Sequence, residues 1–369
     1  MKKEHMNQPK LRYALIGCGR ISRNHIAAVF NHKNDLELCA ICDLVPGRME
    51  ALLGAFDEDL STVRRYTDYR EMLEKESLDL VSIATESGKH AAIALQGIAA
   101  GCHVIVEKPI ALSLADADAM IQAAERKGVV LCACHQNRFN RSIQKIRSAV
   151  ESGRFGKMLH GAAHIRWYRG SQYYKQAAWR GTWEQDGGAL MNQCIHNIDL
   201  LRWMLGDTVE EVMAYTDRLA HSYIEAEDIG LALVKFHNGA YGLIEGTTNV
   251  FRENLEETLY LFGEKGTAKA GGKSVNVIEE WRFGDGIDTA EAVKEQFRDN
   301  PPNVYGFGHT PLYGDVIHAI RSKAQPYVDG NAGRRALELV LAIYRSAAEG
   351  KPVRLPLSQC ATVDFQGRF

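Results

Sequence analysis

"LRYALIGCGRIS", residues 11–22, passes from a short apolar run into a glycine turn and then toward a helix. An apolar run ended by Gly17 reads as a strand buried inside a parallel sheet. Gly17 permits a tight turn. Gly19 lets a pyrophosphate approach the backbone where a helix opens, because the first N–H groups of a helix favour an anion. Ser22 stands where G-x-G-x-x-G carries its third glycine, and it is small enough to keep helix and strand close. Asp43 closes the next β run, "LELCAICD", 26 residues after Gly17. A carboxylate there binds the adenosine ribose hydroxyls and repels a 2′-phosphate. Leu44 and Val45 follow it rather than Arg or Ser, so NAD is favoured over NADP as the cofactor.

Outward from this turn the pattern repeats. "LDLVSIAT", "CHVIVEKP" and "GVVLCACH" are further β-like runs, with helical periodicity at 20–30, 89–100 and 113–127 between them. Strands alternating with helices imply an α/β Rossmann domain, a doubly wound parallel sheet, over residues 1–134. From residue 135 strands follow one another. "KMLHGAAHIRWY", 209–216, "IGLALVKFHNGAYGLIEGTT", "ETLYLFGEKGTAKA" and "SVNVIEEWRF" read as strands, with hairpins at "HNGA" and "GEKGT". Helices are expected at "RSIQKIRSAVESG", 189–205, 311–323 and 331–348. Residues 135–369 therefore form an α+β domain with a large, mostly antiparallel open sheet.

The 369 residues are 46% hydrophobic and 24% charged, with a net charge of −2, which gives no electrostatic case for nucleic acid. No apolar run approaches the ~18 residues that span a bilayer, and no signal-type segment follows the first lysines, so a cytoplasmic protein without a membrane partner is expected. Cys39 and Cys42 make a C-x-x-C inside a strand with no second pair at zinc spacing. The eight cysteines read as reduced and buried.

Two further stretches carry chemistry. "HVIVEKPIALS" leaves a strand at Glu107-Lys108-Pro109, and ligands of open α/β sheets bind outside the carboxyl ends of strands. A lysine beside a nicotinamide cation has its pKa lowered toward neutrality, which suits proton transfer. "MNQCIHNIDLL" (191–201) spaces Asn192, His196 and Asp199 by four and three, which puts them on one helical face. That spacing is poor for zinc, and no metal is expected.

"GCGRIS", "EKPIALS", "NRFN" (137–140) and "GGALMNQCIHNIDLL" together resemble the Gfo/Idh/MocA family of sugar and polyol dehydrogenases. The resemblance implies a Rossmann domain followed by a domain whose open sheet mediates a homodimer or homotetramer. It maps the family's lysine onto Lys108 and its histidine onto His196 as catalytic residues. Inositol- and glucose-type members resemble D-x-x-x-H, whereas this chain has Asn192 at the acidic position. The N-Q-x-x-H form is similar to the UDP-N-acetylglucosaminuronate 3-dehydrogenase-like branch, as are "WRGTWEQDGG" and "RRALELVLAIYRSAAEGKPVRLPL". Gly17, Gly19, Arg20, Ile21, Asp43, Ala84, Thr85, His90, Glu107 and Lys108 are the expected cofactor-binding positions.

Residues 164–183 hold six aromatics, including three of the five tryptophans, with Arg166, Arg169, Lys175 and Arg180 among them. Aromatic faces and arginine forks suit an anionic sugar such as a uronate or nucleotide sugar, and they equally suit a subunit interface. Asn192, Arg138, Arg166, Trp179, Arg180 and His309 are the expected substrate-binding residues. Asp199 is expected to orient the His196 imidazole, and Asp186 to cap the following helix. The function expected is an NAD-dependent dehydrogenase that oxidises a ring hydroxyl to a ketone, with Lys108 and His196 meeting the same hydroxyl to handle its proton. Its rivals are a polyol dehydrogenase of inositol or glucose type, a lyase or glycosidase using transient oxidation, a metal-dependent dehydrogenase, and an NAD-binding sensor without turnover.

Overall fold

The computed structural model describes residues 8–301 and 303–369, which fall into two compact units. The first unit comprises the chain up to Ile110, Asp116–Cys134 and His309–Gly333. Ala111–Ala115, His135–Gly308 and Arg334–Phe369 form the second.

In chain order the first unit contains β1 (Leu11–Ile16), α1 (Ser22–Asn31), β2 (Leu36–Cys42), α2 (Pro46–Leu53), β3 (Arg64–Tyr66) and α3 (Tyr69–Lys75). There follow β4 (Leu80–Ile83), α4 (His90–Ala99), β5 (His103–Glu107), α5 (Leu114–Lys127) and β6 (Leu131–Cys134). The six strands are all parallel, in the order β3-β2-β1-β4-β5-β6. The chain runs outward from β1 through β2 to β3 and then crosses back to β4 on the other side of β1, so the crevice outside the carboxyl ends of β1 and β4 is the ligand position for this topology. Ala14, Leu15, Val81, Val104 and Ile105 are fully buried, which explains why these strands read as unbroken apolar runs. The short edge strand β3 and α3 were not expected from the sequence. Exposed Arg64 and Arg65 hide β3, whereas Asp68 caps α3 by accepting the Arg70 N–H at 2.8 Å.

The second unit contains α6 (Arg141–Glu151), β7 (Met158–Arg166), α7 (Ser171–Tyr174) and a π-helical turn at Leu190–Cys194 that runs into α8 (Ile195–Leu205). Strands β8 (Val209–Asp217), β9 (Ile229–Phe236), β10 (Tyr241–Thr247), β11 (Glu256–Gly263), β12 (Gly266–Gly271) and β13 (Val277–Phe283) come next, then α9 (Ala290–Gln296). The chain ends with α10 (His309–Ser322), α11 (Gly330–Glu349) and β14 (Val353–Arg354). The eight-stranded sheet has the order β13-β12-β11-β7-β10-β9-β8-β14, and only β7 and β10 pair in parallel. Helix α8 packs on β7, β10 and β11. Gly161 and Gly242 let it approach, since a Cβ at either would lie 3.1–3.2 Å from Leu201 methyls. Along β9, Ala232, Val234 and Phe236 face inward, while Leu231 and Leu233 face out. Tyr215, Tyr241 and Leu243 also lie on the exposed side, with Leu233 62% and Tyr215 71% exposed.

Two segments differ from the sequence reading, the first being residues 111–115, which belong to the second unit. Residues 309–333, read as part of the second domain, belong to the first unit. Helix α10 packs against α1, and the Ala133 N–H donates to the Val328 carbonyl at 3.1 Å. Periodicity marks α10 as a helix but says nothing of which core receives its apolar face. The eight cysteines are buried, with no disulfide among the described residues. No helix of the described residues is long and apolar enough to cross a membrane.

Candidate functional site

In the first unit, Gly17, Gly19, Asp43, Ala84, Thr85, Glu107 and Lys108 lie at or just beyond the carboxyl ends of β1, β2, β4 and β5. Gly17 has φ +97°, and a Cβ there would lie 2.5 Å from the Ala84 carbonyl oxygen and 2.8 Å from the Thr85 nitrogen, so only glycine fits. A Cβ on Gly19 would meet nothing within 4 Å, leaving the backbone at the mouth of α1 open to approach. No side chain caps α1, so its N-terminus can take an anion. Asp43 is buried, with Oδ2 accepting the Cys18 N–H at 2.8 Å and Oδ1 the Val45 N–H at 2.9 Å. Each oxygen keeps a lone pair for a ribose hydroxyl. Exposed Leu44 and Val45 alongside offer apolar surface for a base. Open backbone, an uncapped helix and an acid at the end of β2 fit an NAD.

The Glu107-Lys108-Pro109 turn is held from both ends. The Lys108 N–H donates to Glu107 Oε2 at 3.2 Å, and His90 Nδ1 faces the Pro109 carbonyl at 2.8 Å. Glu107 Oε1 lies 3.1 Å from His25 Nε2 and 3.5 Å from His309 Nε2. Burial alone would raise the Glu107 pKa, but the two imidazoles outweigh it and hold the carboxyl well below its usual range. With Cys134 these side chains bring one ligand-type atom each within 4.8 Å of one another. The direct His25–Glu107 contact makes the group a hydrogen-bonded cluster.

In the second unit, Asn192, Gln193 and His196 are the partly exposed positions of an otherwise buried stretch, 189–205. The π-helical turn inserts Gln193 beside Asn192, and such turns gather at functional sites. Asn192 donates its amide to Asp186 Oδ1 and accepts from Gln193 Nε2 at 2.5 Å. Gln193 also donates to the Tyr173 hydroxyl at 2.8 Å and accepts from Arg169 Nε at 3.1 Å. Arg180 donates to the same hydroxyl at 2.5 Å and stacks over Tyr173 and Trp179. The His196 ring meets His135 edge-on, with Gln136 Nε2 3.4 Å from its Nε2. Beneath the turn, buried Glu227 accepts the Leu190 N–H at 2.8 Å and the Tyr344 hydroxyl at 2.9 Å. Burial pushes its pKa up to about 8.

With this geometry in view, comparison with known proteins is decisive. Residues 11–135 match the oxidoreductase family with an NAD-binding Rossmann fold, and residues 143–269 match the GFO/IDH/MocA C-terminal domain. D-apiose dehydrogenase of Paraburkholderia graminis is 31% identical over 355 residues, covering 94% of this chain and 90% of its own. The chain belongs to the GFO/IDH/MocA family. It is an NAD-dependent oxidoreductase of the sugar and polyol dehydrogenase class. The WlbA dehydrogenase of Bordetella pertussis, solved with NADH and UDP-GlcNAcA, is 40% identical with a TM-score of 0.88, covering 96% of this chain and all of its own. WlbA of Chromobacterium violaceum, solved with the same two ligands, is 38% identical with a TM-score of 0.86, over 96% of this chain and 98% of its own.

Several expected contacts of this GFO/IDH/MocA protein fall elsewhere. Asp199 does not orient His196: its buried carboxylate is gripped by Arg138 at 2.6 Å through both oxygens and by Arg202 at 3.1 Å. Burial would raise its pKa, but Arg138, His135 and Arg202 hold it far below the usual range. Arg138 is thereby buried and committed, with its guanidinium over Trp203, rather than offered to a substrate. Arg166 is committed likewise, to Glu245 and Glu256 on the neighbouring strands. His309 faces Glu107 inside the first unit, and His90 has its ring nitrogens on the Pro109 and Thr85 carbonyls. Both act on the protein itself, as does Glu107. Asp186 caps no helix, because its carboxylate turns back to the Gly181 N–H at 2.7 Å and to Asn192. Of the aromatic stretch, Trp167 and Trp183 are buried, while Tyr173 accepts from Gln193 and carries Arg180, which in turn stacks on Trp179. Sequence reasoning missed His25, Tyr173, Gln193, Glu227 and Arg48, whose Nη1 lies 3.7 Å from Asp43. Gln193 had a local signal as the neighbour of Asn192, and Tyr173 as a member of the aromatic stretch 164–183.

Proposed function

We propose that this chain oxidises a ring hydroxyl of a nucleotide sugar acid of the UDP-GlcNAcA type to a ketone, with Lys108 and His196 handling the hydroxyl proton. The observation that carries this reading is the 40% identity over 96% of the chain with a WlbA dehydrogenase solved with NADH and UDP-GlcNAcA. The second unit supports it chemically. Arg180 Nε is buried without a hydrogen-bond partner while its guanidinium stacks on two aromatic rings, so a carboxylate or phosphate would satisfy it. Asn192 is a neutral hydrogen-bonding group held by Asp186 and Gln193, and it orients a hydroxyl without competing for its proton. NAD, when bound, supplies the hydride acceptor. Lys108 and His196 take up and pass on the hydroxyl proton as the carbonyl forms, a contribution typically worth ~10²–10⁴-fold. The outward apolar side of β8, β9 and β10 supports assembly with further copies of the chain into a homodimer or homotetramer.

The test is NADH formation across a panel of UDP-GlcNAcA, UDP-GlcNAc, free uronates, D-apiose and myo-inositol. UDP-GlcNAcA is expected to exceed UDP-GlcNAc, which lacks the carboxylate, by roughly 100-fold or more in kcat/KM. Turnover of D-apiose or myo-inositol with none of UDP-GlcNAcA would overturn the reading.

A further inference from the structure

The geometry points to a clamp on Lys108: Glu107, held by His25 with His309 alongside, takes the lysine's own N–H, and His90 holds the carbonyl of the next residue, Pro109. This rests on the proton-handling role proposed for Lys108, and it makes these four side chains positioning residues for that role.

Lys108 lies between two anchored backbone groups. Its own N–H donates to Glu107 Oε2 at 3.2 Å, and one peptide beyond it the Pro109 carbonyl accepts from His90 Nδ1 at 2.8 Å. His90 Nε2 faces the Thr85 carbonyl at 3.2 Å. Of the two carbonyls, that of Pro109 makes the shorter contact with the ring. On the opposite side, Glu107 Oε1 meets His25 Nε2 at 3.1 Å and His309 Nε2 at 3.5 Å. His25 is fixed in turn, because the Tyr313 hydroxyl lies 2.7 Å from its Nδ1. That hydroxyl is also 2.9 Å from Tyr13 Oη and 2.6 Å from Ser82 Oγ, which anchors the chain in β1 and β4. His25, Tyr313, Tyr13 and Ser82 are all fully buried. Burying so many polar groups is costly unless each is satisfied. A strand end needs no such network merely to turn, whereas proton transfer suffers when a reacting group is misplaced by an ångström.

The test combines amide exchange with a mutant cycle, using UDP-GlcNAcA and NAD as the probe pair. In the cofactor-free protein, hydrogen–deuterium exchange at the Lys108 amide is expected to accelerate about 10-fold or more in Glu107→Gln and in Tyr313→Phe. In turnover, Glu107→Gln is expected to lower kcat by about 10–100-fold while NAD Kd stays within about 2-fold. Added to Lys108→Ala, the same change should cost nothing further, because its effect passes through the lysine. Tyr313→Phe removes only a hydroxyl and carries both readouts if Glu107→Gln fails to fold. Unchanged exchange in both variants, losses that multiply with Lys108→Ala, or one tightly bound zinc per chain in the purified protein would each overturn the clamp. Full turnover in Lys108→Ala would instead overturn the role of Lys108, a failure the exchange arm distinguishes from failure of the clamp.

Discussion

Glu227→Gln should make the protein's stability less sensitive to pH. Glu227 is fully buried beneath the turn that carries Asn192, with Oε1 accepting from Leu190 and Tyr344. Burial raises its pKa from 4.5 to about 8. The folded state therefore keeps a proton that the unfolded chain releases above pH ~4.5. The sign follows: stability from this group is fully present below about pH 4.5 and is lost as pH rises through about 8. The slope is ~1.4 kcal/mol per pH unit in that window, or roughly 3 kcal/mol between pH 5.5 and 7.5. Glutamine mimics the protonated carboxyl and does not titrate. The variant should match the wild type near pH 5 and gain on it steadily toward pH 8. At ~2–4 °C per kcal/mol, the Tm difference should change by about 5–10 °C over those two pH units. Thermal melts of both proteins in matched buffers read this directly, since all other titrating groups cancel. A Tm difference constant from pH 5.5 to 7.5 would refute the buried, protonated carboxyl.

Three other outcomes are expected. Asp43→Asn removes the charge that repels a 2′-phosphate and leaves Arg48, 3.7 Å away, to bind one. The kcat/KM preference for NAD over NADP should fall about 10–100-fold, and an unchanged preference would place Asp43 away from the ribose. Asp199→Ala leaves Arg138 buried without its carboxylate and Arg202 with Asp207 alone, and should cost about 3–5 kcal/mol in ligand-free melts. Lost turnover at unchanged Tm would instead return Asp199 to His196. Leu233→Asp, on the outward side of β9, should shift the proposed homo-oligomer to smaller species in sedimentation, whereas an unaltered distribution would count against that face as an interface.

What could be read from the sequence followed locality. The glycine turn, Asp43 and the Glu107-Lys108-Pro109 strand end are set by neighbours within a few residues, and each lies at a carboxyl strand end in the structure. The alternation in β9 and the turn at "HNGA" gave the antiparallel sheet for the same reason. Arg138 and Asp199 are 61 residues apart, and a cation and an anion spaced so widely carry no mark of their pairing. His309 looked like a substrate ligand because nothing in its own segment reveals that α10 belongs to the first unit. Glu227 sits 37 residues from the N–H it accepts, in the short stretch between two strands read from the sequence. The i, i+4 spacing of Asn192 and His196 assumed α-helical geometry, and the π-helical turn adds Gln193 to that surface.

Nucleotide-sugar oxidation is tested most directly by product mass in a single turnover, with enzyme and NAD in excess over UDP-GlcNAcA. The expected product is the same nucleotide sugar lighter by two hydrogens, with one NADH formed per molecule, and both form at least about 100-fold more slowly in Lys108→Ala. Unaltered UDP-GlcNAcA, or a mass change without matching NADH, would contradict hydride transfer from that sugar.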